Sequence, residues 1–168
     1  FSLAEGALRV PQLVELCCKR EMPAVAITDT GNLFGALEFA MAAAKAGIQP
    51  IVGCQFALAS EPDESRNGFR GGNRQPADDQ IVLLAQSEVG YRNPLRIVSR
   101  SYVEMDDDRN PVVTLAELEG ESDGLIALTG GVAGLPGRLI AEGQMDAAKD
   151  ALLQMKALFP ERLYMEIQ

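Results

Sequence analysis

Several stretches of this chain carry residue types that could do chemistry. In AVAITDTGNLFGALEF, residues 24–39, an apolar run ends in the polar turn Thr28-Asp29-Thr30-Gly31-Asn32. Parallel α/β proteins keep their chemistry at such carboxyl ends of strands. Asp29 could bind a metal there or act as a base. Equally, Asp29 or Thr30 could cap the following helix while Gly31 supplies a turn. A second stretch, Gly130-Gly131-Val132-Ala133-Gly134-Leu135-Pro136-Gly137, lies between an apolar run and a helical pattern, where backbone N–H groups can cradle a phosphate. It lacks the Gly-Lys-Ser/Thr of a P-loop and the G-x-G-x-x-G spacing of a dinucleotide fold, and glycines also serve tight corners sterically. Asp106-Asp107-Asp108 has the charge for a hard cation, but three consecutive residues cannot all converge on one ion, so a solvated run is expected. Glu166 is a further candidate, either facing a barrel interior or paired with an Arg.

Against these stands the absence of histidine. It removes Ser-His-Asp and Cys-His catalytic sets and every His-ligated metal site. Cys17, Cys18 and Cys54 are too few and badly spaced for a Cys-only zinc site or a disulfide framework, so a reducing cytoplasm is expected. The net charge of −9, from 24 acidic and 15 basic side chains, disfavours direct nucleic-acid binding. The nearest approach to a basic patch is Arg66, Arg70 and Arg74, spread through a Gly/Asn/Pro-rich stretch. No apolar run reaches the roughly 20 residues of a membrane span.

The elements that would position these residues alternate along the chain. A helix is expected over Pro11–Arg20, a strand buried on both faces over Ala24–Thr28, and an Ala-rich helix over Leu33–Ala46 ending at Gly47. A strand follows over Pro50–Ala59, then a polar loop over residues 60–79. Next come a strand over Ile81–Ala85 and a helix over Val89–Tyr102, with Pro94 near its beginning. Thr114 and Glu117 have capping-box spacing for a short helix. Leu125–Thr129 reads as a buried strand, Pro136–Glu142 and Met145–Leu158 as helices, and Arg162–Ile167 as a final strand. This alternation argues for a parallel α/β sheet or barrel.

Several blocks, in order, carry a resemblance. They are Ser2-Leu-Ala-Glu-Gly6-Ala, Met22-Pro-Ala-Val-Ala-Ile-Thr-Asp29, Gly31-Asn-Leu-Phe-Gly35-Ala-Leu-Glu-Phe39 and Ala46-Gly-Ile-Gln-Pro-Ile-Val-Gly53. Val82-Leu-Leu-Ala-Gln with Gly90-Tyr-Arg-Asn93, Leu128-Thr-Gly-Gly131, Phe159-Pro160 and Leu163-Tyr-Met-Glu-Ile-Gln168 complete the set. Together they resemble the N-terminal PHP (polymerase and histidinol phosphatase) domains of bacterial replicative DNA polymerase III alpha subunits. Stand-alone PHP phosphatases and the X-family polymerase module are related alternatives.

The resemblance implies a distorted (β/α)7 barrel, truncated here at both ends, with residues 1–168 as most of one PHP domain. Metal-binding members hold up to three ions at the carboxyl ends of the strands. In that pattern Glu5 keeps an acidic ligand position. Thr30 stands where the pattern has His, Gln55 where it has Glu, Gln80 where it has His, and Gly131 where it has Cys. Neutral amides and hydroxyls hold transition metals poorly, so these are vestigial positions, with Asp29 beside them, and no catalytic residue, metal or cofactor is expected in the domain. The resemblance further implies a parent DNA polymerase that uses Mg2+ and meets DNA and dNTPs through other domains. It implies a proofreading exonuclease subunit and other holoenzyme subunits as partners. The rival implication is a metal-dependent phosphoesterase, a pyrophosphatase or 3'-5' exonuclease, using Glu5, Asp29 and ligands outside this sequence.

Overall fold

The computed structural model describes residues 8–59, 79–103 and 112–167. Helix α1 (Val10–Lys19) is followed by strand β1 (Ala24–Thr30), helix α2 (Ala36–Lys45), β2 (Gln49–Leu58), β3 (Asp79–Ala85) and α3 (Glu88–Val103). Then come β4 (Val112–Val113), β5 (Leu125–Leu128), a 3-10 turn at Gly131–Ala133, α4 (Leu135–Ala141), α5 (Met145–Leu158) and β6 (Leu163–Tyr164). The six strands form one sheet in the order β1-β2-β3-β5-β6, with β4 pairing the far end of β2 beyond β1.

The sheet is mixed, which corrects the expectation of a parallel one. β3 runs antiparallel to both β2 and β5, while β1, β2, β4, β5 and β6 share one direction. A parallel neighbour needs a crossover, usually helical, and an antiparallel one does not. The sequence between β2 and β3, residues 60–78, has no helical periodicity, and that was the legible signal.

Strand alternation divides the sheet into unlike faces. One face carries Cys54, Phe56, Leu58, Ile81, Leu83, Leu125 and Ala127, all almost fully buried. Ile97 of α3, Met155 of α5, Phe159, Leu118 and Val113 join them in the main core. Each Val, Leu, Ile, Phe or Met side chain among them contributes on the order of 1.5–3 kcal/mol by leaving water. α1 and α2 form a smaller cluster of Val14, Cys17, Ala43 and Ile48, and Leu139, Ala148 and Ala151 join α4 to α5. The other face carries Ile51, Gly53, Gln55, Ala57, Val82, Leu84, Ile126 and Leu128, of which Gly53 and Val82 are buried and the rest only half-buried.

Other expectations change at the edges. No residue of β1 is fully buried, and among the described residues β1 pairs with β2 alone. α2 begins at Ala36, three residues later than its apolar pattern suggested. Pro94 lies within α3, after its second turn begins, and is buried there. The Thr114–Glu117 box forms: Glu117 N donates to Thr114 Oγ1 at 3.2 Å and Thr114 N to Glu117 Oε2 at 2.6 Å. It closes a run of turns rather than a helix. β6 is limited to Leu163–Tyr164.

Close backbone approaches fix how α3 meets β5. A Cβ on Gly90 would lie 1.7 Å from Gly124 O, and Asn93 Nδ2 donates to Asp123 O at 2.9 Å. Gly90 and Asn93 belong to the Gly90-Tyr-Arg-Asn93 block, so packing alone accounts for both.

Candidate functional site

The antiparallel β3 does not scatter the candidate residues. Its amino end lies beside the carboxyl end of β2, and the carboxyl end of β5 meets it from the other side. Thr30 ends β1, Gln55 lies late in β2, Gln80 is the second residue of β3 and Gly131 follows β5, so all four share one rim.

Register groups them further. Thr30 is the partner of Gln55, Gln55 of Val82, and Ala57 of Gln80. Paired residues point to the same side of a sheet and every second residue returns to it. Thr30, Gln55 and Gln80 therefore lie on the half-open face. Asp29 is the partner of Cys54 and lies on the opposite, helix-covered face. Thr30 and Gln55 also touch, with Gln55 Nε2 donating to Thr30 Oγ1 at 3.5 Å. As donors these are a hydroxyl, two amides and a glycine without a side chain. Such a set does not fit a zinc or manganese cluster, which requires anionic or imidazole ligands. Among the described residues there is no group of three or more His, Cys, Asp or Glu placed to hold a metal ion. Glu5 and the run Asp106-Asp107-Asp108 lie outside the described residues, as do Arg66, Arg70 and Arg74.

The turn after β1 is shaped by its backbone. Gly31 has φ 63, in the left-handed region, and its N–H donates to Gln55 O at 2.8 Å. Asn32 makes the corner: its Nδ2 donates to Thr30 O at 2.9 Å and its Oδ1 accepts from Phe34 N at 3.1 Å. The helix that follows is preceded by Gly35, and no side chain caps it. Gly31 thus supplies the turn as expected, while the capping role expected of Asp29 or Thr30 is not seen. Asp29 instead accepts through its backbone O from Cys54 Sγ at 3.3 Å. Burial pushes the Cys54 thiol up to about 12, against a smaller lowering by hydrogen bonds from the Asn32 and Gly31 backbone. A thiol held protonated in this way is a core residue and not a nucleophile.

The glycine-rich turn after β5 is also filled by the protein itself. Gly130 and Gly131 both have positive φ, 78 and 58. Gly130 N donates to Glu166 Oε2 at 2.8 Å, and Glu166 N donates to Thr129 Oγ1 at 3.2 Å. The Glu166 carboxylate is thus held by a backbone N–H and not by an Arg. A side chain at Gly130 would collide with Gln80 O at 2.4 Å, so this glycine permits β3 and the turn to touch. The steric reading of these glycines accounts for them.

Sequence reasoning missed the strongest electrostatic feature of the rim. Asp79, 2% exposed, accepts from Arg138 Nε at 2.6 Å and from Arg138 Nη2 at 2.9 Å. Arg138 also reaches Glu142 at 3.1 Å. These bonds, those to Asp79 foremost, raise the Arg138 pKa above its ordinary value. The sequence places Asp79 in the polar loop expected over residues 60–79. Only its place immediately before an apolar strand hinted that it would be buried.

The family described as PHP domain matches residues 1–168. The chain belongs to the PHP domain family. Its whole length is 38% identical to a DNA polymerase III subunit alpha of Caulobacter vibrioides, 35% to one of Borreliella burgdorferi and 34% to one of Thermus aquaticus. In each case this PHP domain spans 14% of the relative's length. No helix among its described residues is long and apolar enough to cross a membrane.

Proposed function

We propose that this PHP domain is a metal-free, non-catalytic scaffold within a DNA polymerase III alpha subunit, where it docks the proofreading exonuclease subunit and braces the polymerase core. The observation that carries the reading is the neutral pair of Thr30 and Gln55. The rim positions where metal-binding members keep ligands hold a hydroxyl and an amide in mutual contact. The glycines and amides of the matching blocks are accounted for by packing: Gly90 against Gly124, Asn93 on Asp123, Gly130 against Gln80. A domain whose motif residues hold backbone together is suited to positioning other parts of an assembly.

In this reading residues 1–168 are most of one PHP domain, and the mixed sheet is part of a distorted (β/α)7 barrel whose interior is the half-open face. The parent protein is a cytoplasmic DNA-directed DNA polymerase. Its nucleotidyl transfer uses Mg2+ in other domains, which also meet DNA and dNTPs. The acidic net charge of −9 suits protein partners better than DNA.

The test joins metal analysis to a docking assay on the full-length subunit. The domain is expected to carry no stoichiometric zinc or manganese, and deleting it is expected to abolish co-purification of the exonuclease subunit. Stoichiometric metal binding that Asp29→Ala removes would favour the phosphoesterase reading, and an intact complex after deletion would end the docking role.

A further inference from the structure

We draw no further inference here: the strongest candidate, the exposed side of α3 with Tyr91, Leu95, Tyr102, Arg92 and Arg96, also carries Glu88 paired with Arg92, and nothing in the structure shows what covers it.

Discussion

Gln55 Nε2 donates to Thr30 Oγ1 at 3.5 Å across the parallel β1–β2 pair, at the register step where Thr30 and Gln55 are partners. Two positions where the family resemblance implies His and Glu in metal-binding members are therefore already in contact, but through neutral groups. Thr30→His with Gln55→Glu is expected to raise affinity for zinc or manganese at least tenfold over the parent domain, read by titration with metal analysis. The parent is expected to show no stoichiometric binding. Tight binding by the parent would show that Thr30 and Gln55 are not what decides metal occupancy.

The contact between α3 and the start of β5 gives a sharper stability test. Gly90→Ala places a Cβ 1.7 Å from Gly124 O, a backbone atom that cannot swing away. Gly143 has positive φ, 76, but a Cβ there meets nothing within 4 Å. Gly143→Ala is therefore expected to cost about 1–2 kcal/mol, the ordinary penalty of a left-handed backbone. Gly90→Ala is expected to cost more, roughly 3 kcal/mol, because overpacking against backbone forces the helix itself to shift. Denaturant unfolding of both variants checks the order, and equal losses would mean that α3 can slide away from Gly124 freely.

The helices and most strands were legible because their apolar residues recur at periods fixed by backbone geometry. α5 matches its expected bounds, Met145–Leu158, residue for residue. Strand direction was less legible, since the continuous apolar run Ile81–Ala85 reads the same whichever way β3 runs. The burial of β1 also differs from its apolar sequence AVAIT: its residues are at most half-buried, and among the described residues it pairs with β2 alone. At the rim, residue types identify the side-chain groups of Thr30, Gln55 and Gln80 as a hydroxyl and two amides. They could not reveal the partners, because Asp79–Arg138 and Glu166–Gly130 join positions 59 and 36 residues apart. Such pairs depend on strand order, which no local pattern encodes.

The Asp79–Arg138 pair ties the start of β3 to α4, with Asp79 2% exposed and the Arg138 side chain 24% exposed. Arg138→Met keeps much of the apolar stem but withdraws both guanidinium bonds from a buried carboxylate. Breaking such a pair from one side typically costs about 3–5 kcal/mol. The double variant Arg138→Met with Asp79→Leu is expected to be more stable than Arg138→Met alone, because no buried charge then lacks its guanidinium. Chemical denaturation of the two variants checks this. A single variant as stable as the parent would show that other contacts of Asp79 suffice.

Cys54 gives a pH dependence of defined sign. Its thiol is pushed from an ordinary value of 9.0 up to about 12, chiefly because it is fully buried. Between those values the unfolded chain releases the Cys54 proton while the folded chain keeps it. The contribution of Cys54 is therefore complete below about pH 9 and is lost as pH rises towards 12. The loss approaches about 1.4 kcal/mol per pH unit within that window. Cys54→Ala is expected to be less stable than the parent at pH 7, having lost buried volume, but to show a shallower decline between pH 9 and 11. Unfolding free energies measured at pH 7, 9 and 11 for both proteins decide it. Parallel curves would mean that the folded chain releases this proton as readily as the unfolded one, and that the thiol reaches water.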